Sequence, residues 1–97
     1  MLTRQELFDK LRELLPELQQ RFGVEKIGVF GSFARGDANE ESDIDVLVIY
    51  RDRPQGWSYF SLAPYLEGIF NKKVDLTEPH LLRDRIRDRV LQQVKYV

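Results

Sequence analysis

The sequence has no cysteine, which excludes a disulfide framework and any metal site built from thiolates. It has no excess of either charge, because 15 basic and 16 acidic residues give a formal net charge of −1. A dedicated nucleic-acid-binding protein usually carries a clear basic excess, so that function is disfavoured. No apolar run approaches the ~20 residues that a membrane-spanning helix needs, and no signal peptide is recognisable. We therefore expect a cytoplasmic protein that associates with neither membrane nor nucleic acid.

The residues that are present are typical of a globular domain. Of the 97 residues, 42% are hydrophobic and 32% are charged, and six Phe and four Tyr are available for a core. A chain of this length has room for one core, so we expect a single domain over residues 1–97. So short a chain buries only roughly 60–65% of the surface exposed on unfolding, which makes a partner subunit or a homo-oligomer plausible.

The first segment predicts an amphipathic helix. Thr3 and Glu6 have the spacing of a capping box, in which two side chains satisfy free N–H groups at the helix start. Pro16 lies inside the helical pattern and is expected to kink the helix or to divide it into two pieces. Gly23 is a typical C-terminal stop. The leucines at helical spacing are Leu7, Leu11, Leu14, Leu15 and Leu18.

Three strands and two further helices are expected after this segment. The predicted strands are residues 24–30, 43–50 and 73–77. The predicted helices run from Ser58 or Ser61 to Phe70 and from Leu81 onwards. The positions expected to face inwards in the last helix are Leu82, Ile86, Val90 and Val94. The order helix, strand, strand, helix, strand, helix indicates a compact α/β or α+β fold.

Two acids mark the start of the second predicted strand. Asp43 and Asp45 are two residues apart, so in a strand they point to the same face with Cα atoms ~6.5–7 Å apart. Two carboxylates so placed repel each other unless a cation lies between them. Oxygen ligands without His or Cys suit Mg²⁺ or Mn²⁺ rather than Zn²⁺. The alternative is that both acids are solvated residues at the beginning of a strand.

A Gly–Ser pair directly follows the first predicted strand. Gly31 lets the backbone come close to a phosphate, and Ser32 offers a hydroxyl and a peptide N–H. If residues 33–35 turn helically, free N–H groups face the same anion, and Arg35 can reach it. Arg35 has alternative partners in the acidic loop that follows, and a Gly–Ser pair by itself is common at strand-to-helix turns. With the acidic pair so near, the sequence predicts phosphate and metal sites at one edge of a sheet.

Asp75 is a third candidate metal ligand. It lies between Val74 and Leu76 in the third predicted strand, where an isolated acid is costly unless it is paired or binds a metal. The alternative is an outward-facing charge on an edge strand. Three carboxylates could hold two metal ions across a triphosphate. One ion would lower the pKa of an attacking hydroxyl, and the other would stabilise the departing pyrophosphate.

Together these motifs resemble the nucleotidyltransferase signature of the DNA polymerase β superfamily. The segment Gly-Ser-Phe-Ala-Arg-Gly (31–36) is followed by Asp-Ile-Asp-Val-Leu-Val (43–48). The short chain and the Ala-Arg-Gly continuation make it similar to the minimal nucleotidyltransferase (MNT) proteins. This resemblance implies a nucleotidyltransferase fold, with a small mixed sheet flanked by helices.

The resemblance also implies a reaction, in which AMP moves from ATP to a hydroxyl group with the help of Mg²⁺. Minimal members of the family are commonly paired with a HEPN-type toxin, for which the MNT protein is the antitoxin. Some of them adenylylate a tyrosine of that toxin. The implied nucleotide-binding residues are Gly31 and Ser32, and the implied metal-binding and catalytic residues are Asp43, Asp45 and Asp75.

Two other functions stay open from the sequence. One is a non-catalytic antitoxin that neutralises its toxin by contact alone. The other is nucleotidyl transfer to a small molecule or to RNA, although family members with those acceptors usually have additional domains. Trp57 and Tyr59 could stack on a base, but contact with the core or with a partner is the favoured interpretation. The arginines of residues 83–89 alternate with acids, which indicates a solvated helix face.

Overall fold

The computed structural model describes residues 1–97 and contains four strands and four α-helices. The strands are β1 (Val24–Phe30), β2 (Ile44–Tyr50), β3 (Val74–Thr77) and β4 (Lys95–Tyr96). The helices are α1 (Arg4–Phe22), α2 (Gly31–Arg35), α3 (Leu62–Phe70) and α4 (Asp84–Gln93). Two 3-10 turns, Gly56–Phe60 and Pro79–Leu81, lie before α3 and after β3. No helix has both the length and the apolar composition needed to cross a membrane.

The strands form one mixed sheet in the order β3-β2-β1-β4. β1 pairs antiparallel with β2 and with β4, whereas β2 and β3 run parallel. The parallel pair is joined by α3, because parallel neighbours need a crossover connection. A mixed sheet flanked by helices is the fold class expected from the sequence, and that prediction is confirmed.

Helix α1 begins and ends where the sequence predicts. The Thr3 hydroxyl accepts a hydrogen bond from the Glu6 N–H at 3.1 Å, and the Glu6 carboxylate accepts one from the Thr3 N–H at 2.9 Å. Gly23 ends the helix in the left-handed region at φ 72°. The predicted division at Pro16 is wrong, because α1 continues through it. Leu11 and Leu18, on either side of Pro16, are both fully buried, so packing offsets the lost hydrogen bond.

The main core lies on the face of the sheet that α1 and α3 cover. Successive strand residues point to opposite faces, so Ile44, Val46 and Val48 enter this core while Asp45 points away from it. Leu62 and Leu66 of α3 complete the packing. The remaining core residues are Leu7, Leu11, Leu18, Phe22, Val24, Ile27, Val29, Phe33, Ala34 and Val74.

The C-terminal region packs differently from the sequence expectation. In α4 Val90 is buried, but Ile86 is 53% exposed, so the predicted inward position of Ile86 is wrong. The sequence does not predict strand β4. It pairs with β1 at Gly28, where an added Cβ would lie 2.6 Å from Val94 Cγ2. The missing side chain at Gly28 therefore lets the end of the chain lie against the sheet.

We expect Thr3→Ala to lower the free energy of unfolding by about 1 kcal/mol, because it removes one half of the capping box. Gln20→Ala, an exposed position near the other end of α1, should change it by less than about 0.5 kcal/mol. Urea unfolding followed by circular dichroism measures both changes. Equal losses in the two variants would contradict a specific stabilisation by the cap.

Candidate functional site

Two acids are aligned across neighbouring strands on the face opposite the main core. Asp45 and Asp75 are register partners in the parallel pair β2–β3, so their side chains point to the same face. Asp43 directly precedes β2. No group of three or more Asp, Glu, His or Cys side chains is gathered tightly enough to form a ready-made metal site. The fold therefore brings two predicted ligands side by side and leaves the third at the strand's start.

The three acids nevertheless act on one another electrostatically. Burial raises the pKa of Asp45 above its ordinary value of 3.8, and the carboxylates of Asp75 and Asp43 raise it further. Arg35 acts in the opposite direction and lowers the pKa of Asp45. Asp75 is half exposed, and Lys73 Nζ lies 3.8 Å from its carboxylate. A half-buried carboxylate beside two others is a donor set that fits a divalent cation with a preference for oxygen.

Gly31 lies against the Asp45 carboxylate. Its backbone has φ +71°, and an added Cβ would lie 2.1 Å from Asp45 Oδ2, so any other residue would strain the backbone and displace this carboxylate. The arrangement follows from the antiparallel register, which pairs Phe30 with Asp45 at the end of β1. Ser32, the next residue, is half-buried in the first turn of α2. The Gly–Ser turn and the acids therefore lie at the same end of the sheet, where β1 ends and where β2 and β3 begin.

Arg35 forms an ion pair in the acidic loop, which is one of the alternatives that the sequence left open. Its Nε lies 3.3 Å from Asp37 Oδ2, and both side chains are about half exposed. An ion pair this exposed contributes little stability and is easily exchanged for another partner. The direct partner of Arg35 is thus Asp37. Arg35 is nevertheless near enough to Asp45 to lower the pKa of its carboxyl group.

Sequence reasoning missed a buried acid, Glu78. It is 3% exposed and accepts hydrogen bonds from Tyr59 Oη at 2.5 Å and from Arg53 Nη2 at 2.6 Å. The hydrogen bond to Glu78 raises the pKa of Tyr59. Burial first, and then Glu78, raise the pKa of the neighbouring Tyr50 to about 12. Glu78 thus ties the turn Gly56–Phe60 to the end of β3.

Aromatic residues in this turn do not enter the core. Trp57 is 92% exposed, so the part of the interpretation that placed it in the core is wrong. Tyr59 packs against Tyr50 with ring centroids 6.0 Å apart, and Phe60 is 68% exposed. The turn therefore presents two large apolar side chains to the surface.

A cavity of about 490 Å³ lies between this turn and the edge strand β3. Asp75 forms part of its wall, and Phe30, the register partner of Asp45, forms another part. The other lining residues are Tyr59, Phe60, Ala63, Val74, Leu76, Thr77, Leu81 and Leu82. The carboxylates thus stand between the Gly–Ser turn and a largely apolar cavity.

Comparisons with known proteins point to one family. Residues 11–97 match the nucleotidyltransferase domain family. The chain is 42% identical to protein adenylyltransferase MntA of Thermococcus cleftensis, covering 100% of this chain and 98% of that protein.

Solved structures agree with this match. One, proposed to be a minimal nucleotidyltransferase, superposes with a TM-score of 0.81 at 30% identity, covering 97% of this chain and 95% of the other. A second contains a tri-AMPylated HEPN toxin of Shewanella oneidensis in complex with an MNT antitoxin. It superposes with a TM-score of 0.67 at 23% identity, covering 97% of this chain and 71% of that one, and shows the common fold.

We expect the chain to bind ATP together with Mg²⁺, and we expect Gly31→Ala to abolish this binding, because the new Cβ would displace the Asp45 carboxylate. Gly36→Ala is the matched control, since Gly36 also has a positive φ, of +90°, but has no atom within 4 Å of an added Cβ. Both variants should lose about 1–2 kcal/mol of stability through backbone strain. Titration calorimetry with ATP and Mg²⁺ should find loss of binding in Gly31→Ala alone. If Gly31→Ala still binds ATP, the Gly–Ser turn does not bind the nucleotide.

We expect Asp45→Asn to raise the free energy of unfolding at neutral pH when no divalent cation is present. The raised pKa means that the folded state holds the Asp45 proton more tightly, so wild-type stability falls as the pH rises through the window above 3.8. The amide does not ionise and avoids this fall, so the difference should disappear below that window. Urea unfolding between pH 3 and 7, with exposed Asp88→Asn as control, measures it. A variant less stable than wild type at pH 7 would contradict the conclusion that burial and the neighbouring carboxylates disfavour ionised Asp45.

Proposed function

Because the chain belongs to the nucleotidyltransferase domain family, we propose that it transfers AMP from ATP to a hydroxyl group of a partner protein. The observation that carries this is the 42% identity with a protein adenylyltransferase over essentially the full length of both chains. The partner is a HEPN-type toxin, and this chain is its antitoxin. The AMPylated toxin held by an antitoxin of the same fold supports that pairing.

The site residues would have different roles, which follow from their positions in the sheet. Asp43, Asp45 and Asp75 would hold Mg²⁺ or Mn²⁺, whose bound charge offsets that of the triphosphate and polarises the α-phosphate. The backbone N–H groups of Gly31 and Ser32 would bind the β- and γ-phosphates. Arg35 would exchange its exposed partner Asp37 for a phosphate, since a phosphate offers a doubly charged acceptor in place of a solvated carboxylate.

The transfer itself exchanges one phosphorus–oxygen bond for another. The acceptor oxygen forms a bond to the α-phosphorus, while the bond from that phosphorus to the β-phosphate oxygen breaks and pyrophosphate leaves. The half-exposed Asp75 is the carboxylate best placed to take the hydroxyl proton, because it lies on the edge strand and an acceptor can reach it from solvent. Asp45 is half-buried beside Gly31, so it would lie next to phosphates bound by that turn.

We expect the chain to transfer label from α-labelled ATP to a HEPN-type protein in the presence of Mg²⁺, and chelation of the metal should stop the transfer. Asp43→Asn should lower the rate on the order of 100-fold or more, because a lost ligand removes several kcal/mol of transition-state stabilisation. Asp88→Asn, an exposed acid on α4, should retain the wild-type rate. Gel autoradiography of the partner gives both rates.

A growth assay separates this function from neutralisation by contact alone. Cells that express the toxin should be protected by the wild-type chain and by Asp88→Asn, but not by Asp43→Asn. If Asp43→Asn protects as well as wild type, transfer of AMP is not what neutralises the toxin.

A further inference from the structure

The cavity beside Asp75 has a chemistry unlike that of the phosphate end of the site. Eight of its ten lining residues are hydrophobic, and the two polar ones are Asp75 and Thr77. No Lys, Arg or His contributes to the wall. A triphosphate needs cations or N–H donors, so it has no reason to bind there. An apolar side chain with a neutral hydroxyl at one end matches the wall and its single carboxylate.

The position of the cavity in the sheet decides which reactant it faces. Four of the ten lining residues belong to β3, whereas β1 contributes only Phe30. The order β3-β2-β1 puts Asp45 between β3 and the Gly–Ser turn at the end of β1. Entering and leaving oxygens take opposite sides of the phosphorus in such displacements. If the turn binds the phosphates that leave, the acceptor arrives from the β3 side, where the cavity opens.

The rim of the cavity is exposed and apolar. Phe60 is 68% exposed and Leu81 is 58% exposed, and both line the cavity while also facing solvent. Trp57, in the same turn as Phe60, is 92% exposed. Exposed apolar groups gathered around a concave site are typical of contact surfaces.

One part of the wall is held by hydrogen bonds before anything binds. Tyr59 lines the cavity, and its hydroxyl donates to buried Glu78, which also accepts from Arg53. These hydrogen bonds join the turn Gly56–Phe60 to the strand that carries Asp75. A wall held in this way loses little conformational entropy when a ligand enters.

We propose that this cavity binds the segment of the protein substrate that carries the acceptor hydroxyl, called here the acceptor segment. Apolar side chains of the acceptor segment fill the cavity, and its hydroxyl lies at the Asp75 end. The acceptor segment is neutral or basic around the hydroxyl, because the only charged group in the wall is a carboxylate. The inference rests on the proposed function, whose acceptor it locates.

The test uses charged substitutions on the exposed rim, where they do not disturb the core. Phe60→Asp and Leu81→Asp should each lower kcat/KM for labelling of the HEPN-type protein by at least about ten-fold. The affinity for ATP and Mg²⁺, measured by calorimetry, should stay within about two-fold of wild type. Leu91→Asp is the matched control, because Leu91 is 43% exposed on α4 and does not line the cavity, and it should label normally.

Each other outcome counts against the inference. Normal labelling by both rim variants overturns the inference and leaves the proposed function intact. A parallel loss of ATP affinity assigns the cavity to the nucleoside of ATP instead of the acceptor segment. Absence of labelling by the wild-type chain overturns the proposed function, and the inference with it.

Discussion

The contact between the Gly31 backbone and the Asp45 carboxylate is the constraint on which the site depends. Because Phe30 and Asp45 are paired at the end of β1, the chain must turn directly beside Asp45 when it leaves the strand. The turn needs a positive φ, and a Cβ there would displace the Asp45 carboxylate, so both the backbone and the site favour glycine. As a result, N–H groups that can bind phosphates and a carboxylate that can bind a cation lie next to each other.

This arrangement has a cost in stability that the rest of the fold offsets. Asp45 is half-buried near two like charges, and its raised pKa records how unfavourable its ionised form is in the folded chain. The compensation comes from the opposite face, where alternate residues of the same strand enter the core beneath α1 and α3. The same strand therefore packs in the core with one face and presents a candidate metal ligand, Asp45, on the other. Such local conflicts are expected where a site is built for a ligand.

The two ends of the site differ in character. At the end of β1, backbone N–H groups and a nearby arginine suit anionic phosphates. At the edge strand β3, the surface is apolar and is supported by the hydrogen bonds of Glu78. The carboxylates lie between these ends. A nucleotide and a protein segment could thus be bound by separate surfaces of one small sheet, without a second domain for the acceptor.

Local patterns in the sequence determined the helix cap at Thr3, all three longer strands, and the placement of the Gly31–Ser32 turn at the end of one strand and of Asp43 and Asp45 at the start of the next. These features depend on residues close together in the chain, where spacing and side-chain type are sufficient.

The tertiary structure alone decided the continuity of α1 through Pro16, the exposure of Ile86, the pairing of β4 and the burial of Glu78. The partners of Glu78 lie 19 and 25 positions away in sequence, so no local pattern could reveal them. The alignment of Asp45 with Asp75 likewise required the register of a parallel pair, which forms only when α3 packs and brings β3 beside β2.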